Sequence, residues 1–297
     1  MDKGIARYRQ LYLLVAITII LLGFGIRLHN LGGDSLWLDE QLTLKTAALG
    51  FPEVLTGAKD HPPLIYFLTF LSIHQFGETE FAARLVSLFA GTLAIPLIIL
   101  FGLVLRRPGA GLWAALFLSF SPLHLKYAQE SRHYALLMAV TLLTYILLYQ
   151  ALLRPKAKYW IPFAAATALN LYIHYGAFIV LGSQVVLILF WMLWQLKKGS
   201  YKLISYPLLA AAITILLYLP WLPNFLASLD RNVGASTISD TGGIAPISQW
   251  LREAFSAFGM YYDYWPGAIL SLAVLGLLIL ILHRDGWTIA LLATGMV

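Results

Sequence analysis

The chain has 297 residues, of which 60% are hydrophobic and only 11% are charged, and its mean hydropathy is +0.78. Since an ordinary soluble domain has roughly 25% charged residues, this composition excludes a water-soluble globular protein. The absence of cysteine excludes disulfides, thiolate metal sites and thiol nucleophiles. We assign the net charge of +6 to basic residues at membrane borders and expect no nucleic-acid partner.

Apolar runs long enough to cross a bilayer recur along the chain, since about 20 helical residues span the hydrocarbon core. The first run, 11–28, is too long for a signal-peptide core and lacks a small-residue cleavage site, so we expect it to remain as a transmembrane helix. Further spans are predicted at 81–105, 111–125, 134–153, 159–175, 176–196, 203–222 and 266–282. A last run from residue 287 is too short to span comfortably, and it predicts a truncated chain.

Clusters of basic residues at alternate borders predict the orientation, because Lys and Arg are retained on the cytoplasmic side. With a cytoplasmic amino terminus, all five clusters fall on that side. They are Lys3, Arg7 and Arg9; Arg106 and Arg107; Arg154, Lys156 and Lys158; Lys197, Lys198 and Lys202; and Arg284. This requires the short apolar stretch 62–76, which opens with two prolines, to be an interfacial helix rather than a span. We therefore expect a multi-pass protein of the inner (plasma) membrane whose acidic residues collect on the non-cytoplasmic side.

Two external loops follow from this topology. The first covers residues 29–80 and belongs with the transmembrane module 1–225, whereas the second covers 226–265 and precedes further transmembrane segments in 266–297. Glycine, serine and threonine between 234 and 243 predict a mobile second loop able to gate a site.

The first loop contains two polar motifs. Residues 35–40, SLWLDE, end in the adjacent carboxylates Asp39 and Glu40, which either form a solvated acid pair or include a group whose pKa is raised near the interface. In residues 60–66, DHPPLIY, the paired prolines place His61 at the mouth of a helix. That histidine marks either a helix start or a substrate contact.

Two further polar motifs flank apolar spans on the same predicted face. Residues 127–134, YAQESRHY, contain Glu130 and Arg132, which either form a structural ion pair or place an arginine where it can bind a lipid phosphate. Residues 170–175, NLYIHY, contain His174, which is either a packing residue or a group that orients a phosphate or binds a metal. The convergence of all four motifs on one face favours a functional site.

The ordered set of motifs resembles the GT-C glycosyltransferases related to protein O-mannosyltransferases and aminoarabinose transferases, the family 39-like group. The resemblance covers about residues 5–222 and rests on LWLDE at 36–40, HPPL at 61–64, QESRHY at 129–134 and LYIHY at 171–175. The chain departs from the common pattern at Gln41, Ser131, His133 and Ile173. The resemblance implies an all-α polytopic membrane protein with a GT-C-type helical bundle and an external interfacial-helix loop.

The same resemblance implies transfer of a sugar from a polyprenyl-phosphate donor in the membrane lipid to an unidentified acceptor at the external face, with inversion. It implies Asp39 as the catalytic base. Glu40 would orient the acceptor or a cation, Arg132 would stabilise the departing phosphate, Glu130 would position Arg132, and His61 and His174 would bind phosphate or sugar. The substrate-binding candidates are Glu40, His61, Glu130, Arg132, Tyr134, His174 and Tyr175.

No phosphate-binding glycine-rich loop is present, so we expect no nucleotide cofactor, while a divalent metal at the acidic residues stays open. The main alternative function is a transporter or lipid flippase that uses the same charges along a polar pathway. A noncatalytic membrane-assembly protein, in which the motifs only hold helices together, is the third.

Overall fold

The computed structural model describes residues 2–50, 54 and 61–228. Residues up to Phe225 belong to one compact unit, and a second unit runs from Leu226 to Val297. The predicted second loop at 226–265 and the spans at 266–282 and from 287 thus lie almost entirely outside the described residues.

The described part of the chain is built from helices. They are α1 (Asp2–Leu28), α2 (Leu38–Ala48), α3 (Leu64–Phe76), α4 (Glu80–Val104), α5 (Pro108–Phe120), α6 (Pro122–Ala128), α7 (Tyr134–Leu153), α8 (Ala157–Leu171), α9 (Ala177–Lys197) and α10 (Ser205–Tyr218), with 3₁₀ turns at Tyr201–Ile204 and Leu219–Trp221. The prediction of an all-α membrane protein is confirmed.

Five helical stretches are long and apolar enough to cross a membrane: Ala6–Leu28, Glu80–Val104, Tyr134–Leu153, Ala177–Lys197 and Tyr201–Ser228. They correspond to five of the predicted spans. The helix predicted over 62–76 is present as α3, a shorter apolar helix of 13 residues; its interfacial position stays a prediction.

The predicted span 111–125 is wrong as a single helix, because the chain breaks into α5 and α6 at Pro122. Proline has no N–H to donate to the carbonyl of Leu118 four residues earlier, and it disfavours helical geometry in the residue before it. Ser121 accordingly adopts an extended conformation with ψ of 118°. Its hydroxyl then caps α6 by accepting a hydrogen bond from the His124 N–H at 3.4 Å.

The span predicted over 159–175 also ends early, since α8 stops at Leu171. The carbonyl of Tyr172 does not continue the helix and instead accepts a hydrogen bond from the Leu64 N–H at 3.1 Å. This bond joins the end of α8 to the start of α3.

The centre of the bundle is α4, which packs against α1, α3, α5 and α7. Ile95 and Ile99 of α4 form a buried cluster with Ala16 and Ile19 of α1 and with Ala115 of α5. At the far end of α4, a Cβ added to Gly102 would lie 2.5 Å from the Cα of Gly111. Glycine therefore allows the antiparallel helices α4 and α5 to approach closely, as small residues do in membranes.

Polar side chains connect α7 with α8 and α9. Asn170 donates to the Thr141 hydroxyl at 3.1 Å, and Gln184 donates to the Thr144 hydroxyl at 2.8 Å. Interhelical bonds of this kind satisfy polar groups that would otherwise be exposed to lipid.

The antiparallel path brings the carboxyl ends of α1 and α8 together with the amino ends of α4, α7 and α9. Gln129 donates to the carbonyls of Arg27 and His29 at 3.0 and 2.9 Å, and the Ser87 hydroxyl donates to the carbonyl of Arg132 at 3.0 Å. We call this end of the bundle the site end. The four motifs meet there, although they are distant in sequence.

Candidate active site

The first turn of α2 carries both adjacent carboxylates, but the helix directs them to different surroundings. Successive helical residues point about 100° apart, because 3.6 residues complete one turn. The Glu40 side chain has no exposed surface, whereas the Asp39 side chain is 36% exposed. Of the two carboxylates, only that of Asp39 is therefore accessible to solvent.

Glu40 is held by hydrogen bonds from several elements. Arg84 of α4 donates through Nε and Nη2 to the two carboxylate oxygens, each at 2.9 Å. The Ser131 N–H donates at 2.8 Å and the Trp37 N–H at 3.3 Å. The Glu40 carboxylate thus joins α2, α4 and the 129–134 segment, and it has no free surface for a substrate.

Arg84 also spans the first loop. Its remaining N–H groups donate to the carbonyls of Leu31, Asp34 and Ser35. Burial raises the pKa of the Glu40 carboxyl, but the hydrogen bonds from Arg84 and Ser131 outweigh burial, so that the pKa lies below its ordinary value. Glu40 is therefore ionised and paired at neutral pH.

Asp39 faces Arg132, the arginine of the third motif. The Nη2 of Arg132 lies 3.5 Å from Oδ2 of Asp39, and Nη1 donates to the Asp39 carbonyl at 3.5 Å. The side chain of Arg132 is only 11% exposed. The pair is longer than the Glu40–Arg84 pair, and it leaves part of the carboxylate open to solvent.

The Glu130 carboxylate lies 3.7 Å from the ammonium of Lys126, one turn earlier, and not in the Glu130–Arg132 ion pair that was one of the two alternatives. Burial raises the pKa of the Glu130 carboxyl above its ordinary value; Lys126 opposes this shift and the negative charge of Glu40 adds to it.

Hydrogen bonds connect the third motif to three helices. They are made by the backbone of Ser131 to α2, by the backbone of Arg132 to α4 and by the side chain of Gln129 to α1.

Three histidines from three motifs form one cluster. The rings of His133 and His174 stack with their centroids 3.9 Å apart and their planes 12° apart. The ring of His61 lies 6.0 Å from each of them. We call these three residues the histidine cluster. The predicted site residues His61 and His174 thus lie together, and His133, which was not among the predicted site residues, stacks on His174.

Burial and neighbouring positive charge keep the rings of His133 and His174 neutral. Burial, followed by the charges of His174, Arg132 and His61, lowers the pKa of His133 to about 2. Burial, followed by the charges of His61 and Arg132, lowers the pKa of His174 to about 4. Both imidazoles are therefore uncharged at neutral pH.

Of the two predicted tyrosines, only Tyr134 has a described ring contact with the histidine cluster. Its ring lies 4.3 Å from His133 and 6.4 Å from His174. The ring of Tyr175 instead lies 5.3 Å from Phe225, within a buried aromatic group that includes Tyr218 and Trp221.

Arg27 and Arg84 are buried residues that the sequence analysis overlooked, although an arginine inside an apolar helix needs a partner. Arg27 has no exposed surface, and its guanidinium donates to the carbonyls of Leu118 and Ser119 and contacts Nδ1 of His124 at 2.7 Å. Arg27 thereby donates a hydrogen bond to the Leu118 carbonyl, which Pro122 cannot do because proline has no N–H. Both arginines hold the backbone of the site end in place.

In the described ranges, no three His, Asp or Glu side chains are placed to hold a metal ion. Asp39 and Glu130 retain carboxylate oxygens that could contribute to such a site.

The described helices and their contacts indicate a multi-pass helical membrane protein in which the accessible carboxylate of Asp39 lies beside an arginine at one end of the bundle. Residues 60–223, more than half of the chain, match the sequence model of the dolichyl-phosphate-mannose-protein mannosyltransferase family. The chain belongs to this family of membrane glycosyltransferases. No curated protein matches it.

Proposed function

We propose that the protein transfers a sugar from a polyprenyl-phosphate donor to an acceptor at the non-cytoplasmic face of the membrane, with inversion. The observation that carries this proposal is the accessible carboxylate of Asp39 beside Arg132 at the site end of a chain of this family. The family's donor is itself a sugar on a lipid phosphate, which a membrane-embedded site can take directly from the bilayer.

Asp39 is the catalytic base in this proposal. Its carboxylate accepts the proton of an acceptor hydroxyl or amine while the acceptor atom forms a bond to the anomeric carbon. The bond from that carbon to the phosphate oxygen breaks, and its electron pair leaves with the polyprenyl phosphate. The 36% exposure of Asp39 provides the access that this role requires, and Glu40 lacks it.

Arg132 is the proposed phosphate ligand. Its long contact with Asp39 leaves guanidinium donors that can bind the phosphate, and arginine suits this because it presents several donors in a plane. Charge that increases on the departing phosphate is stabilised more in the transition state than in the ground state, and such an interaction raises the rate.

Glu40, predicted from the sequence to contact the substrate, is proposed instead to position the site residues. Its bonds to Arg84 and to the Ser131 N–H set the distance between α2 and the segment that carries Arg132. Glu130 and Tyr134 line the same segment and are kept as substrate-binding candidates.

The positions of basic residues support a non-cytoplasmic site. The α4–α5, α7–α8 and α9–α10 connections lie at the end of the bundle opposite the site end, and each carries a basic cluster. Because such clusters are retained in the cytoplasm, their positions support an external location for the site end. Single cysteines test this in a chain that has none: an impermeant reagent should label Lys45→Cys but not Lys156→Cys in intact cells.

The activity is tested with purified protein in nanodiscs and a panel of polyprenyl-phosphate sugars that includes dolichyl-phosphate mannose. We expect polyprenyl phosphate to be released, and released faster when acceptor is present. Asp39→Asn should lower this rate by about 10² to 10⁴. Movement of intact donor between leaflets without cleavage of the sugar–phosphate bond would favour the flippase alternative. A divalent cation that restores transfer to Asp39→Asn would make Asp39 a metal ligand instead of the base.

A further inference from the structure

The hydrogen bond from the backbone of Gly176 determines which nitrogen of His174 carries the proton. The Gly176 N–H donates to Nδ1 of His174 at 3.0 Å. Because Nδ1 accepts this bond through its lone pair, the proton of the neutral ring must be on Nε2. The ring therefore offers a hydrogen-bond donor on the side opposite Gly176.

The same bond opposes the charged form of the ring. Imidazolium carries a proton on each nitrogen, so that an Nδ1–H would point at the Gly176 N–H and the hydrogen bond would be lost. Burial of the ring, followed by His61 and by the guanidinium of Arg132, also opposes a positive charge there.

Gly176 and His133 fix the position of the His174 ring. A Cβ at residue 176 would lie 2.9 Å from Nδ1 of His174, too close for the ring to keep its place. His133 is 3% exposed, and its ring stacks on the ring of His174 with the centroids 3.9 Å apart. The Nε2 atom of His133 is buried and has no hydrogen-bond partner among the described residues. Within the described part of the chain, the stacked pair therefore has a polar atom without a hydrogen bond next to His174.

We propose that His174 is a neutral Nε2–H donor to an oxygen of the sugar carried by the lipid donor, not a cationic ligand of its phosphate, and that Gly176 and His133 are the residues that position it. The proposal deepens the proposed function and rests on it for the ligand. A pair of stacked, uncharged imidazoles, those of His133 and His174, with a fixed donor matches a carbohydrate, which presents both C–H faces and oxygen acceptors. The phosphate has a better partner in Arg132.

The state of the ring is tested without any substrate. Protein labelled with ¹⁵N in its histidine rings is studied by NMR between pH 8 and pH 5, and the His174 signals are assigned by their loss in His174→Gln. We expect the Nε2–H tautomer at pH 7 and no imidazolium signal down to pH 5. An Nδ1–H tautomer, or protonation near pH 6.5, would overturn the proposal.

Gly176→Ala tests the positioning, with Gly182→Ala as the matched control, because a Cβ at Gly182 meets nothing within 4 Å. We expect the tautomer preference of His174 to be lost in Gly176→Ala and kept in Gly182→Ala. Identical ¹⁵N signals in the two variants would show that Gly176 does not hold the ring.

The ligand is tested by equilibrium binding of dolichyl-phosphate mannose and of sugar-free dolichyl phosphate. Loss of one hydrogen bond to the sugar should weaken binding of the mannose-bearing lipid about tenfold in His174→Ala, with recovery in His174→Gln, and leave binding of dolichyl phosphate unchanged. Equal weakening for both lipids would assign His174 to the phosphate and refute the inference. An absence of sugar transfer with this selective binding intact would instead refute only the proposed function.

Discussion

Asp39 and Glu40 are adjacent in the first turn of α2, and each faces an arginine, yet the two pairs differ in burial, geometry and accessibility. Glu40 is fully buried and receives a bidentate contact from Arg84 at 2.9 Å. Asp39 is partly exposed and lies 3.5 Å from Arg132. A buried, saturated carboxylate can hold helices together but cannot exchange protons with a ligand, whereas a partly open one can. The difference supports a scaffolding role for the Glu40–Arg84 pair and the proposed chemical role for the Asp39–Arg132 pair.

Asp39→Asn tests the proposed difference between the two pairs most directly. The amide keeps the size of the side chain but cannot accept the proton, so transfer should fall by about 10² to 10⁴, while thermal stability should stay close to wild type. The measurement is the rate of polyprenyl phosphate release. Glu78→Gln, at an exposed carboxylate between α3 and α4, is the control; wild-type transfer by Asp39→Asn would contradict the base assignment.

Glu40→Gln and Arg84→Met should show the opposite profile. Removing one partner of a buried pair leaves an uncompensated charge or unmet donors, which costs about 3–5 kcal/mol. We expect a lower midpoint of thermal unfolding in both variants. The double variant should recover part of that stability, because both charges are then gone. Full stability with lost transfer in Glu40→Gln would instead indicate direct participation in the chemistry.

Arg132→Ala should weaken donor use with little effect on folding. If Arg132 binds the phosphate through more than one N–H, turnover should fall by about 10² and Arg132→Lys should restore it only in part. Arg154→Ala, at the opposite end of the bundle, should leave turnover unchanged. Failure of Arg132→Ala to insert or fold would place Arg132 among the scaffold residues with Arg84.

Acidification should destabilise the site end. The pKa of His174 is lowered to about 4 from its ordinary value near 6.5, so between these pH values the unfolded chain binds a proton that the folded chain does not. The stability contributed by the neutral ring is present above about pH 6.5 and is lost as pH falls towards 4. The unfolding midpoint should drop less between pH 7 and pH 5 in His174→Gln than in wild type; equal drops would contradict this linkage.

Lys126→Ala should have the smallest effect. The Lys126 side chain is 51% exposed and its ammonium lies 3.7 Å from Glu130, and exposed ion pairs contribute about 0–1 kcal/mol. Unfolding of this variant should differ from wild type within that range. A larger loss would show that the third motif depends on Lys126 as α2 depends on Arg84.

The amino-acid sequence by itself determined the membrane class, the positions of most helices and the motifs of the site. Hydrophobic length is a local property, and residues 134–153 became α7 with the predicted bounds. The break at Pro122 could also be predicted, because the missing N–H of proline is a local property, although the predicted span 111–125 runs across it.

The tertiary structure alone decided which charges pair. An ion pair between Glu130 and Arg132 was one of two alternatives for the third motif, but Arg132 lies beside Asp39 and Glu130 beside Lys126. The partner of Glu40 is Arg84, in another helix. The Glu130–Lys126 pair is local, at i and i+4, but the partners of Asp39 and Glu40 depend on distances between elements that are remote along the chain. Burial then decides whether a carboxylate is saturated or accessible. Neither quantity is a property of any single segment, so only the packed bundle separates Asp39 from its neighbour.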